Sequence, residues 1–193
     1  MGMKRLTTWL LRTLPVALTI LATSATAKDD SLSFLGHAYR LGSYNQKSKP
    51  MWEFVRTPET IDNWTTLLTL IDRPDATTRP ELDRLAQGVM ESYTSRMGKV
   101  LMAKTMTDAA GKPYNYLVAA FDQPSRRQFE LNFVKAALGP KNAYIVIYGV
   151  RVSDPKDYVA LSKKFLNEHS GEIGKELETM RLPEPSALPR KEF

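Results

Sequence analysis

Cysteine is absent from the 193 residues of this chain. Its absence excludes disulfides, lipid attachment to an N-terminal cysteine, and every metal site that depends on thiolate ligands. Histidine is nearly absent too, because only His37 and His169 occur. A site of two histidines and one carboxylate would need both of them to meet. We interpret them as unrelated surface residues, and we predict no metal ion and no cofactor.

Sequence motifs of the common catalytic and nucleotide-binding sites are also missing. The chain contains no Gly-x-Ser-x-Gly nucleophile elbow, no phosphate-binding loop and no Gly-x-Gly-x-x-Gly turn. Serines and carboxylates are common, however, so an exported hydrolase that uses a carboxylate or a serine stands as a second hypothesis. We predict no particular catalytic residue, and the first hypothesis is a protein that is not an enzyme.

No hydrophobic run is long enough to span a bilayer, which takes about 20 apolar residues. The apolar segment 14–22 follows three basic residues and precedes the small-residue site Ala25-Thr26-Ala27. This order is typical of a bacterial signal peptide that is cleaved after export. We therefore predict cleavage after Ala27, a periplasmic or secreted mature protein, and no stable membrane anchor.

An excess of one charge is also missing from the mature chain. The whole sequence holds 27 Lys and Arg against 21 Asp and Glu, a formal net charge of +6. Removal of the predicted signal peptide takes away three basic and no acidic residues, which leaves +3. This is the balance of an ordinary solvated surface, and it does not indicate binding to nucleic acid.

What the chain does have is a series of strands in its second half. Residues 114–122, 127–136 and 143–152 alternate with period two and are rich in aromatic and β-branched residues. Short turns join them, which predicts antiparallel neighbours. The third is apolar on both faces and is expected to be central and covered on both sides. The second carries Glu130 and Asn132 on one face, which predicts a wet side of the sheet.

Two helical patterns and four more strands complete the prediction. The strands lie near residues 38–41, 52–56, 64–71 and 100–107, and the first helix covers residues 80–97 with Thr78 as its cap. The second helix follows Asp154 as cap and Pro155 at its first position, and extends to residue 180. It has an apolar stripe in which we expect Phe165 to face the sheet, and Gly171 and Gly174 could bend it.

The resulting fold class is α+β, with a mainly antiparallel sheet and two amphipathic helices that cover most of one face. Residues 28–181 are predicted to form a single domain. Within it, residues 28–33 are expected to be frayed. Residues 182–193 contain three prolines and are expected to form an extended, largely unpacked tail.

Residues 58–69 read Pro-Glu-Thr-Ile-Asp-Asn-Trp-Thr-Thr-Leu-Leu-Thr, a loop that enters a strand through Asn63 and Trp64. With the helix, the strand series and the last helix after it, the segment 34–180 resembles the PsbP-like α/β/α sandwich. That is the fold of the photosystem II extrinsic subunit and of a Ran-binding nuclear-import factor. The resemblance implies a binding or assembly factor, and it carries no catalytic residue across.

Two exposed features are the candidate partner-binding sites. Arg126 and Arg127 form a basic turn between two strands, which could hold an acidic partner. The loop 57–63, with Glu59 and Asp62, is flanked by two tryptophans. These tryptophans are Trp52 and Trp64. They either pack in the core, as tryptophan usually does, or frame a groove.

The leading hypothesis is an exported, non-enzymatic binding or accessory protein of the bacterial cell envelope that engages another protein. The exported hydrolase is the second hypothesis. A third is a carrier of a small apolar ligand, held in a pocket between the sheet and a helix.

Overall fold

An eight-stranded antiparallel sheet is the centre of the computed structural model, which describes residues 31–46, 49–154, 156–181 and 187–190. The strands are β1 (Ser31–Phe34), β2 (His37–Asn45), β3 (Met51–Arg56), β4 (Thr66–Arg73), β5 (Lys99–Thr107), β6 (Pro113–Gln123), β7 (Gln128–Leu138) and β8 (Ala143–Ser153). Their order across the sheet is β1-β2-β3-β4-β8-β7-β6-β5. The prediction of an α+β fold with a mainly antiparallel sheet is confirmed, and β8 is central and buried on both faces.

Helix α1 (Arg79–Ser95) begins with a capping box. The carboxylate of Glu81 accepts hydrogen bonds from the backbone N–H groups of Thr77 and Thr78, at 2.7 and 2.9 Å. These N–H groups have no carbonyl partner within the helix, so the carboxylate satisfies them. Its buried residues Leu82 and Leu85 pack on β5, β6 and β7. The predicted cap Thr78 is confirmed, and Leu82, Leu85 and Tyr93 are buried as an apolar stripe requires. The predicted end at residue 97 was wrong, because the helix stops at Ser95 and Met97 has a left-handed backbone and an exposed side chain.

Helix α2 (Tyr158–Thr179) packs on the other face of the sheet. Along β6, Tyr116 and Val118 belong to the cluster that buries α2, whereas Leu117 and Ala119 belong to the cluster that buries α1. Successive side chains of a strand point to opposite faces. The prediction that both helices cover one face was therefore wrong, because an apolar stripe fits either face and says nothing about which one it covers.

The start of α2 also differs from the prediction. Asp157, not Asp154, is the cap, and its carboxylate accepts the N–H of Ala160 at 3.0 Å. The carboxylate of Asp154 instead accepts two backbone N–H groups in the turn that precedes the helix, and Pro155 lies outside the described residues. The helix continues through Gly171 and Gly174 without a break.

Both ends of the described chain are better packed than predicted. Residues 31–34 form strand β1, and Phe34 is fully buried. Leu188 is buried in the same core, and the indole N–H of Trp52 donates to the carbonyl of Pro189 at 2.8 Å. The expected fraying of residues 31–33 and the expected loose tail at residues 187–190 were therefore wrong. The predicted signal peptide, residues 1–27, lies outside the described residues.

Within the described part of the chain, neither helix has both the length and the hydropathy that a membrane crossing requires.

Candidate functional site

The two tryptophans lie on opposite faces of the sheet and cannot frame one groove. Trp52 belongs to the α2 face, where its ring packs on Tyr44 with the centroids 5.2 Å apart. Trp64 belongs to the α1 face, where it packs with Val55 and Leu67. Both are buried, so their predicted role in partner binding is not supported by their placement. The alternative that they pack in the core is confirmed.

Trp64 covers the polar side of β7 that was expected to be wet. The guanidinium of Arg151 lies 3.6 Å from the centre of its ring and 3.8 Å from the carboxylate of Glu130. Asn132 is buried beneath this layer. A Cβ at Gly149 would lie 3.3 Å from the indole, so the missing side chain lets the ring approach the sheet closely. The wet face was a wrong prediction, since the loop before β4 folds back over it.

Glu59 of the loop 57–63 has a structural role. Its carboxylate accepts hydrogen bonds from the hydroxyl of Thr65 and from the backbone N–H of Thr66, and its carbonyl accepts one from Arg40 at 2.9 Å. These contacts close the loop onto β2 and β4. Asp62 is exposed. The structure therefore places Glu59 as a loop brace and leaves Asp62 as the accessible carboxylate of the predicted pair.

Arg126 and Arg127 lie on an exposed turn, as the sequence indicates. Arg126 ends a short 3₁₀ turn, and Arg127 has a left-handed backbone with φ of 49°. The guanidinium of Arg127 donates to the carbonyl of Lys156 at 3.4 Å, and its own carbonyl accepts the N–H of Asp154. The turn is thus tied to the segment that leads into α2, while Arg126 is exposed to solvent.

A groove borders this basic turn on the α2 face, and we name it the α2–β5 groove. It has a volume of about 390 Å³ and lies between the first turns of α2 and the edge strand β5. Among the described residues, five large apolar side chains stand out as exposed, and three of them line the groove together: Met97 at 91 % exposure, Leu101 at 48 % and Val159 at 39 %. Apolar groups that converge in one concavity are typical of an interaction surface.

The charges of the α2–β5 groove are mostly positive. Two exposed lysines, Lys99 and Lys163, line it with a single carboxylate, Asp122, which already accepts the Tyr158 hydroxyl at 3.1 Å. The chain runs from Asp122 through the basic turn and back into the groove at Phe129, which places the turn at its end. An apolar segment with acidic neighbours would fit this surface.

The two histidines are not brought into a metal site. His37 begins β2 and His169 lies on α2, where its ring stacks on Phe165 at 4.7 Å. No group of three potential metal ligands is found among the described residues. The most strongly perturbed tyrosines are explained by packing, since burial raises the pKa of Tyr116 to about 12 and also raises the pKa values of Tyr93 and Tyr148.

Sequence reasoning missed the α2–β5 groove because its apolar residues come from separate elements. Leu101 and Met102 are adjacent in β5, where a β-bulge between Val100 and Met102 interrupts the alternation. Met97 lies in the turn before that strand, and Val159 starts α2. The one signal in the sequence was the pair of consecutive apolar residues Leu101 and Met102. This pair indicates an exposed surface only once β5 is known to be an edge strand.

Comparison with known proteins gives no assignment. No protein-family model matches the chain, and a search of the curated proteins finds no match.

Proposed function

We propose that the chain is an exported, non-enzymatic binding or accessory protein of the bacterial cell envelope, and that it engages another protein through the α2–β5 groove and the Arg126–Arg127 turn. The single observation behind this proposal is the convergence of Met97, Leu101 and Val159 in one concavity. Exposing such side chains to water costs free energy in the isolated protein, and a partner that covers them recovers it.

The partner that fits is a protein segment with apolar side chains and nearby carboxylates. Methionine suits the apolar part, because its flexible thioether adapts to different shapes. Lys99, Lys163 and Arg126 supply the positive charge around the groove. Exposed charges are screened over about 8 Å at physiological ionic strength, so the contact should weaken as salt is added without being lost.

We also propose that the fold is a PsbP-like sandwich. Helices on the two faces of a central antiparallel sheet are compatible with it. The binding or assembly role of that family agrees with the function proposed here.

The test is crosslinked capture from envelope extracts, followed by a binding assay with the purified captured protein. Leu101→Asp places a carboxylate in the groove and should abolish capture. Met102→Asp is the matched control, because Met102 is comparably exposed on the same strand yet does not line the groove. Arg126→Glu combined with Arg127→Glu should weaken capture and reduce its dependence on salt.

Capture that survives both Leu101→Asp and the double arginine reversal would show that the groove is not the binding site. Loss with Asp62→Lys alone would move the site to the loop 57–63; Glu59 is unsuitable for that comparison because it braces the loop. The hydrolase hypothesis is tested separately with a panel of hydrolase substrates. Turnover that disappears on substitution of one serine or carboxylate would overturn the non-enzymatic proposal.

A further inference from the structure

A second concavity lies on the α1 face of the sheet, and we name it the α1 cleft. It has a volume of about 530 Å³. Helix α1 packs chiefly on β5, β6 and β7. Part of the same face, formed by β4 and β8, is therefore left uncovered beside the helix. Ile71, Ile145 and Ile147 of those strands form an apolar floor, and Leu85 and Val89 of α1 contribute one wall. The cleft is thus separate from the α2–β5 groove, on the opposite face.

Cations outnumber free carboxylates along the α1 cleft. Four basic and two acidic residues line it. Asp75 is engaged by Arg73 through hydrogen bonds of 2.7 and 2.6 Å, and Glu81 is engaged in the helix cap; these contacts lower the pKa of both carboxyls to about 2. Within the described residues, neither Lys49 nor Arg84 forms an ion pair, and the charge of Lys49 adds only a minor part to the lowered pKa of Asp75. Positive charge in the cleft is therefore available to a ligand.

Gly88 keeps the space beside α1 open. A Cβ at this position would meet no atom within 4 Å, so packing of the described chain does not require a glycine. Glycine inside a helix costs about 1 kcal/mol relative to alanine. Gly88 lies one helical turn after Arg84, next to the floor of the cleft. Gly88 thus leaves room for a ligand to lie against α1 at this point of the cleft.

The polar groups of the α1 cleft are mainly donors. Lys49 and Arg84 offer N–H groups, whereas the two carboxylates are engaged and the Ser92 hydroxyl already accepts from Arg96 at 2.6 Å. A peptide in the cleft would bring backbone N–H groups that need acceptors. A hydrocarbon chain brings none, and its anionic end would use the donors. The cleft therefore favours a ligand with an anionic group and an apolar body.

We propose that the α1 cleft binds an anionic amphiphile, meaning a carboxylate or a phosphate ester on a hydrocarbon chain. The anionic group lies between Lys49 and Arg84. The hydrocarbon passes Gly88 and lies on the isoleucine floor, toward Arg96. Arg84 and Arg96 are separated by about 18 Å along α1, at 1.5 Å per residue, which gives room for an extended chain.

The experiment is isothermal titration calorimetry of the purified protein with dodecanoate, dodecyl phosphate and dodecanol, each below its micelle concentration. Both anions should bind, and dodecanol should bind at least about tenfold more weakly, a difference of about 1.4 kcal/mol. The ratio of the two anions tells a fatty-acid carboxylate from a lipid phosphate. Lys49→Glu with Arg84→Glu, two exposed positions, should reduce anion affinity by about tenfold or more.

Gly88→Leu is the sharper variant, because it fills the cleft while improving helix propensity. It should abolish dodecanoate binding and leave the melting temperature unchanged or raised. Gly171→Leu is its matched control, since Gly171 is also in a helix with no atom within 4 Å of a Cβ and lies on α2. That variant should bind dodecanoate as the unmodified protein does.

Three results would overturn this proposal: equal binding of dodecanol and dodecanoate, undiminished binding by Gly88→Leu, or binding of an acidic peptide such as Glu-Ile-Gly-Ile-Glu without binding of dodecanoate. The outcome is independent of the proposed protein-binding function. Leu101→Asp, which disrupts the groove on the opposite face, should leave dodecanoate binding unchanged.

Discussion

Lys135 is a charged residue in the core, and three backbone carbonyls explain its position. Its ammonium group donates to the carbonyls of Leu177, Glu178 and Met180 at 2.7, 3.1 and 3.3 Å. These carbonyls end α2 and have no partner within the helix. The ammonium also lies 5.1 Å from the ring of Tyr114. Burial lowers the pKa of Lys135, and its hydrogen bonds to the three carbonyls offset part of the cost of burying the amine.

Lys135→Met should therefore destabilise the protein. The substitution keeps the length of the side chain but leaves buried carbonyls without a donor, at a cost of about 1–3 kcal/mol in the free energy of unfolding. Urea denaturation measures the change. Lys175→Met is the control, because Lys175 is exposed on the same helix and its replacement should change stability by less than about 0.5 kcal/mol. Equal effects of the two substitutions would show that the cap at Lys135 contributes nothing.

At the scale of elements, α2 is held to the sheet mainly by its second half. Leu177 and Ile173 are fully buried, whereas Phe165 is half-buried and shares its exposed side with His169. The prediction that Phe165 faces the sheet is confirmed, since it packs against the core of this face, but its ring is only partly buried. The helix packs on the core mainly near its C-terminal end, where Lys135 also donates hydrogen bonds to its backbone carbonyls.

Leu177→Ala should cost about 2–5 kcal/mol, as truncation of a fully buried leucine does. Phe165→Ala should cost clearly less, because a half-buried ring leaves a smaller cavity than its volume suggests. Chemical denaturation of both variants under one set of conditions compares them. A larger loss from Phe165→Ala would mean that the first half of α2 carries the docking.

Strand boundaries were predictable from the sequence where the alternation is long. Strands β6, β7 and β8 begin and end within two residues of their predicted limits, since their aromatic and β-branched residues repeat with period two. The side of the sheet on which Trp52, Trp64 and the two helices lie was not predictable. It depends on the path of the loops, and no periodicity in the strands encodes that path.

The proposed binding surfaces could be predicted only in part for the same reason. The Arg126–Arg127 turn was found because a turn is exposed wherever the strands lie. The α2–β5 groove unites residues of β5, α2 and the turn at Met97, and it exists only because β5 is the edge strand. The α1 cleft arises from the part of β4 and β8 that the helix leaves open.

At the scale of the whole molecule, export gives the most direct prediction. The mature protein from the exported fraction should begin at Lys28, because the segment 14–22 and the site at Ala25–Ala27 have the order of a cleaved signal peptide. N-terminal sequencing checks this. Material that keeps Met1 would contradict the proposed cleavage, and substitution of Ala27 by a bulky residue should make the precursor accumulate.

The docking of residues 187–190 has a consequence for the order in which contacts of the Trp52 indole form. Trp52 and Pro189 are 137 positions apart, and contacts of such long separation form slowly because a large loop must first be closed. While the ribosome is still extending the chain, Trp52 lacks the partner that caps its indole. The contact between Trp52 and Pro189 is therefore expected to form after the hairpins of the sheet, whose paired strands are close together in the sequence.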